Sequence, residues 1–193
     1  MLATPDPREL YARALSQTQA IIAAVRPDQL DAATPCDEYD VRGLLSHMVG
    51  GAHRAAYVGE GGNALEIDLR QDGVGDGDWA AAFEKASIRA REAWADDAKL
   101  GNLVTVPWGT VPGRAAISGY VLETLTHGWD LGTATGQPTE LDQELGGIVL
   151  SMAQRFLPEQ PRGGEVPFGP VVPTAPDAGV YAQLAAWTGR AQP

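Results

Sequence analysis

The chain has 193 residues, 44% of them hydrophobic and 20% charged, which is enough for a sizeable core and ordinary for a folded globular protein, so disorder is excluded as the default state. Its 25 acidic residues against 14 basic ones leave a formal charge of -11 with no Lys/Arg cluster to offset it, which disfavours nucleic acid and other polyanions as partners. The single cysteine, Cys36, excludes an internal disulfide framework; MLATPDPREL lacks the basic start and apolar core of a secretory leader, and no apolar run reaches the length that crosses a bilayer, so the sequence reads as cytoplasmic with no membrane partner.

Residues 7–26 open with Pro7 and place Leu10, Ala14, Leu15, Thr18, Ile21, Ile22 and Val25 on one stripe, which predicts an amphipathic helix stopped by Pro27. After the turn-rich DQLDAATPCDEYD, Asp40 is an N-cap residue for a second helix over 41–57 that carries His47. Residues 59–77 are rich in glycine and acidic side chains without a period and read as a loop. A third helix is expected over 78–97, with Trp79, Phe83, Ala86, Ala90 and Trp94 on its buried side. NLVTVPWGTVPGR then reads as a short strand or ordered loop before a fourth helix over 114–134. A fifth helix is expected over 142–156, and after the Pro/Gly-rich RGGEVPFGPVVPTAPDAG a last short one over 180–188. The fold class is therefore all-α: a helix bundle with a short extended segment before the fourth helix and a C-terminal wrap, read as one domain over 1–193 with 162–193 as an extension packed on it.

Glu123 and His127 form a Glu-x-x-x-His pair, and residues four apart on a helix stand one above the other, so a carboxylate and an imidazole can hold one ion from a single face. His47 on the second helix would complete a set of two imidazoles and one carboxylate, and three protein ligands leave a position open for water or substrate, as in catalytic zinc sites. The bland alternatives stay open: a solvated Glu/His pair, and a core histidine framed by Leu44, Leu45, Met48 and Val49. Asp130 is read as an acceptor that orients an imidazole, with a weak fourth ligand or an ordinary polar residue near the helix end as the alternatives. Arg114, at the start of the fourth helix, is a candidate anchor for a substrate carboxylate, and Trp129 is either a pocket wall or core. Gly50 and Gly51 mark either the end of the second helix or a close approach, and Cys36 reads as a buried filler rather than a reactive thiol.

The blocks ATPCDEYDVRGLLSHMVGG, VTVPWGTVPG and LTHGWDLGTATGQP resemble the actinobacterial DinB-like metal-binding proteins related to mycothiol-dependent maleylpyruvate isomerase, and the similarity runs over nearly the whole chain. The resemblance implies a DinB-like four-helix bundle in which His47, Glu123 and His127 hold a divalent metal, usually zinc. It implies an enzyme that uses a low-molecular-weight thiol such as mycothiol for thiol transfer to, or isomerisation of, a small electrophilic substrate. The chain departs from that isomerase in replacing a substantial C-terminal domain with the Pro/Gly stretch and one short helix. Two other functions remain: a metal-dependent hydrolase or lyase using metal-bound water, and a non-catalytic metal-stabilised bundle that binds a small ligand. A bundle of this size also pairs readily through an exposed apolar face, which makes a homodimer an alternative to the monomer.

Overall fold

The computed structural model describes residues 5–163, 168–175 and 177–191. Of the expected C-terminal extension, residues 164–167, 176, 192 and 193 lie outside the described residues, as do 1–4 of the N-terminal stretch. Six helices and one two-stranded hairpin make up the described fold. The bundle helices are α1 (Pro7–Ala23), α2 (Val41–Gly59), α3 (Trp79–Ala93) and α4 (Gly113–Thr135). The extended segment is the antiparallel hairpin β1 (Leu103–Val106) and β2 (Gly109–Pro112), with Leu103 opposite Pro112. Two further helices, α5 (Gln143–Phe156) and α6 (Val180–Trp187), pack on each other and against α4. This is the all-α, DinB-like bundle that the resemblance implies.

Local chemistry sets the boundaries. The Asp6 carboxylate accepts the Arg8 N–H at 2.9 Å and Pro7 occupies the first position of α1, where its missing N–H costs nothing. α1 ends at Ala23, short of the expected residue 26, because proline at 27 excludes helical backbone for the residue before it. The Asp40 carboxylate caps α2 by accepting the Gly43 N–H at 2.7 Å. α3 also stops early, at Ala93: the Trp94 indole turns inward to donate to the Ala55 carbonyl at 2.8 Å, and Asp96 caps a new short turn at Asp97–Leu100. Gly136, in left-handed backbone at φ 69, closes α4.

Around the bundle, α1 lies beside α3 and α4, and α2 also lies beside α3 and α4, so consecutive helices α1 and α2 face each other across the diagonal. The core between them contains Leu10, Ile22, Leu44, Leu45, Phe83, Ile117 and Leu125. Full burial of each large aliphatic side chain is worth about 1.5–3 kcal/mol. α4 touches α1, α2, α5 and α6, which is why it is apolar on several sides rather than along one stripe. The seam between α2 and α4 positions the site.

α2 passes through Gly50 and Gly51 without a break. The two glycines have different reasons to be there. A Cβ on Gly50 would overlap the carbonyl of Leu69, where the loop after α2 crosses the helix, whereas a Cβ on Gly51 would meet only Glu123 Oε1 at an ordinary 3.7 Å. Gly51→Ala should therefore keep stability or raise it by up to about 1 kcal/mol through helix propensity. Gly50→Ala should lose about 1–3 kcal/mol despite the same propensity gain, because backbone must move. Urea midpoints of the two variants check this, and equal midpoints would show that the loop does not press on Gly50.

Candidate metal centre

His47 projects from α2 and Glu123 and His127 from α4, and one donor atom from each lies within 4.8 Å of the others. His47 Nε2 stands 3.3 Å from Glu123 Oε1. Donors bound to zinc at about 2.0–2.1 Å with tetrahedral angles stand about 3.4 Å apart, so this one spacing is that of two donors on a shared ion. The contact lacks hydrogen-bond geometry: His47 Nε2 is buried with no hydrogen-bond partner, an orphaned ring nitrogen facing a carboxylate. The two imidazoles meet edge to face with centroids 4.8 Å apart.

Each imidazole is fixed from behind. Tyr39, in the loop before α2, stacks on the His47 ring at 4.9 Å, and its hydroxyl lies 3.2 Å from Nδ1. The tautomer that leaves Nε2 free has the Nδ1–H donating to Tyr39 Oη. That loop is held by Thr34, whose hydroxyl donates to the carbonyls of Tyr39 and Cys36 at 2.7 and 3.0 Å. On α4, His127 Nδ1 lies 3.1 Å from Asp130 Oδ2, three residues on. A proton held there leaves Nε2 as the atom free to bind a metal, the arrangement that orients ligating histidines generally.

Asp130 is fully buried, and its counter-charge comes from far along the chain. The Arg190 guanidinium grips both carboxylate oxygens, with Nε to Oδ1 at 3.2 Å and Nη2 to Oδ2 at 3.1 Å. Arg190 Nη1 donates to the Thr188 carbonyl at 2.9 Å, and its backbone N–H returns to Ala185 at 2.8 Å. Gly189, at φ 88, allows this reversal after α6. Cys36, His127 and Asp130 also lie within 4.8 Å of one another. A cation there would displace the His127–Asp130 hydrogen bond and sit against the guanidinium, so this group serves as the support of the first donor set.

Electrostatics follow the geometry. Burial pushes His127 below its usual imidazole value, and the hydrogen bond it donates to Asp130 opposes that only in part. Burial pushes the Glu123 carboxyl up, but the contact and charge of His47, with His127 and Arg54, outweigh it and hold it below the usual range. Burial raises the Cys36 thiol, as a half-buried filler requires.

The donors open onto a narrow cleft whose walls include Tyr11, Met48, Phe83 and Tyr120. Glu123 keeps 30% of its side chain exposed. Arg114 is not brought here: it is exposed on the first turn of α4, and nine residues of helix put it about 13 Å along the axis from Glu123. Trp129 is buried in the core and does not line the pocket. Tyr39 and Arg190 had no sequence signal of their own, since both lie in irregular segments outside the helices.

Residues 11–132 match the family model described as the mycothiol maleylpyruvate isomerase N-terminal domain. The chain belongs to this family. Two uncharacterized proteins of Mycobacterium tuberculosis, from strains CDC 1551 / Oshkosh and ATCC 25618 / H37Rv, are 36% identical over 186 residues, which is 96% of this chain and 98% of theirs. Their similarity thus extends well past residue 132, where the family match ends. A crystal structure of the mycothiol-dependent maleylpyruvate isomerase superposes with a TM-score of 0.60 at 15% identity, covering 78% of this chain and 68% of that one, which shows a shared fold.

Two outcomes follow for this family member. Arg190→Met leaves a carboxylate buried without its cation and should destabilise the protein by about 3–5 kcal/mol; a loss under 1 kcal/mol by urea titration would mean that Asp130 is hydrated instead. In metal-free protein, His127 and Glu123 both take up protons less readily folded than unfolded. Their stabilisation is complete above the ordinary imidazole value of 6.5 and lost as pH falls below it, His127 first and Glu123 below 4.5. Melting temperatures of chelator-treated protein should decline over that range, and His127→Gln should remove the upper part of the decline.

Proposed function

We propose that His47, Glu123 and His127 bind a divalent cation, zinc by the chemistry of two imidazoles and a carboxylate, and that the protein catalyses thiol transfer to, or isomerisation of, a small electrophile with a thiol such as mycothiol. The observation that carries this reading is the orphaned Nε2 of His47, 3.3 Å from Glu123 Oε1 at the floor of an open pocket. Three protein donors leave one position free on the pocket side. Zinc held there would lower the pKa of an incoming thiol and so supply a thiolate nucleophile near neutral pH. The family to which the chain belongs supports mycothiol as that thiol.

The protein's own groups do the rest. Asp130 and Tyr39 hold the two imidazoles in the tautomers that present Nε2, so the donors are set before any ligand arrives. The apolar walls formed by Met48, Ala52 and Phe83 exclude water from the nucleophile's approach. The rival reading, hydrolysis by metal-activated water, asks for a general base beside the site, and the sequence offers Asp130 for that role. Asp130 is fully buried and held by Arg190, so it cannot exchange protons with a substrate. The substrate is not carried over from the isomerase, whose identity to this chain is 15%.

Elemental analysis of the native protein should find close to one zinc per chain, lost in His47→Ala, while Tyr39→Phe should weaken zinc by about 10- to 100-fold through the unsupported imidazole. Equal metal in wild type and His47→Ala would end the reading. With metal present, turnover of 1-chloro-2,4-dinitrobenzene and of maleylpyruvate is compared with and without mycothiol. Thiol-dependent turnover of either supports the proposal, and turnover of such electrophiles that ignores the thiol favours water.

A further inference from the structure

The metal donors account for only part of the α2–α4 seam. His47 faces His127, and Gly51 faces Glu123, so the two helices run antiparallel along this line. One further turn sets Arg54 of α2 against Tyr120 of α4. The Arg54 charge favours the ionised forms of both Tyr120 and Glu123, though less than the groups nearer to them.

Both residues carry an unspent donor. Tyr120 is 2% exposed, its hydroxyl has no hydrogen-bond partner among the described residues, and it lines the same pocket as His47, Glu123 and His127. Arg54 donates from Nη2 to the Ile67 carbonyl at 2.7 Å, which anchors the guanidinium, while its Nε is buried without an acceptor. Of the eleven buried side-chain atoms without a partner among the described residues, Tyr120 Oη and His47 Nε2 are the two that belong to pocket-lining residues, where a ligand could complete them. The Tyr120 ring cannot drift away to find another partner: Trp108 of the hairpin turn packs edge-on at 5.7 Å, and Tyr11 lies at 6.3 Å on the other side. Burial and the nearby Glu123 carboxylate hold the phenol far above its usual range, so it stays protonated and acts as a donor.

Resting on the reading of the site given above, we propose that Tyr120 Oη, backed by the Arg54 guanidinium, donates a hydrogen bond to an anionic oxygen of the small molecule that enters the pocket beside Glu123. The ligand chemistry is a carboxylate or enolate oxygen: a neutral phenol supplies direction and the fixed guanidinium supplies charge. On a chain of net charge -11 such a local cation offsets the repulsion that an incoming anion meets. Tyr120 then chooses the orientation of the substrate, while the metal donors handle the nucleophile.

The test uses pyruvate as a probe with both oxygen types, titrated by calorimetry into wild type, Tyr120→Phe and Arg54→Gln, each in zinc-loaded and chelator-treated form. Zinc affinity is measured in parallel by chelator competition. Tyr120→Phe keeps the ring packing and removes one donor, so pyruvate should bind about five- to tenfold more weakly with zinc affinity unchanged. Arg54→Gln should weaken pyruvate similarly and flatten its salt dependence. The proposal is overturned if wild type binds no pyruvate, if both variants match wild type, or if pyruvate and zinc affinities fall together, since the donors would then only brace Glu123. Should wild type take up no zinc while chelated protein still binds pyruvate through Tyr120, the metal reading fails and this inference stands.

Discussion

A buried carboxylate with its charge neutralised from sixty residues away is the constraint on which the site depends. Asp130 sits at full burial inside α4, where an isolated carboxylate would cost several kcal/mol to desolvate. Arg190 offsets that cost with three hydrogen bonds, and in doing so frees Asp130 to hold the His127 ring. The pair is thus weak evidence for stability and strong evidence for orientation: a hydrophobic pair of the same volume would pack as well but could not fix a tautomer. The C-terminal segment matters here through a single guanidinium, delivered by the turn at Gly189.

The same economy of parts appears across the α2–α4 seam. Gly51 leaves room above the Glu123 carboxylate, and Gly50 lets the Leu69 backbone close the outer side of α2. Small residues on one helix and polar residues on its neighbour produce a cleft inside an otherwise close-packed bundle, where apolar side chains would fill it. Among the residues that line that cleft, His47 Nε2 and Tyr120 Oη are buried atoms with unspent hydrogen-bonding capacity.

How much of this is legible in sequence follows the range of each interaction. Glu123 and His127 share a helix face, and Asp130 follows at the next turn, so periodicity alone brings them together. The helical spans were legible for the same reason, to within a few residues, and the misjudged ends at Ala23 and Ala93 are places where a proline's steric demand or the Trp94 hydrogen bond overrode propensity. That His47 meets the pair depends on α2 lying beside α4 rather than across the diagonal, which no local pattern encodes; the family resemblance carried it. Tyr39 and Arg190 come from irregular segments whose contacts have no period, and they are invisible until the chain is folded. Arg114 illustrates the converse error: being on the right helix is not enough when it lies two and a half turns from the carboxylate.

The overall acidity of the chain and the chemistry of its pocket pull in opposite directions, and distance decides between them. Surface carboxylates separated from the pocket by more than about 10 Å are screened at physiological ionic strength, whereas Arg54 acts on Tyr120 and Glu123 through low-dielectric interior. The Arg190 charge, by contrast, is already spent on Asp130. A net negative protein can therefore take up a small acid wherever the local charge is positive, while its bulk field keeps large polyanions off the surface, and such a site needs no basic patch that sequence composition would reveal.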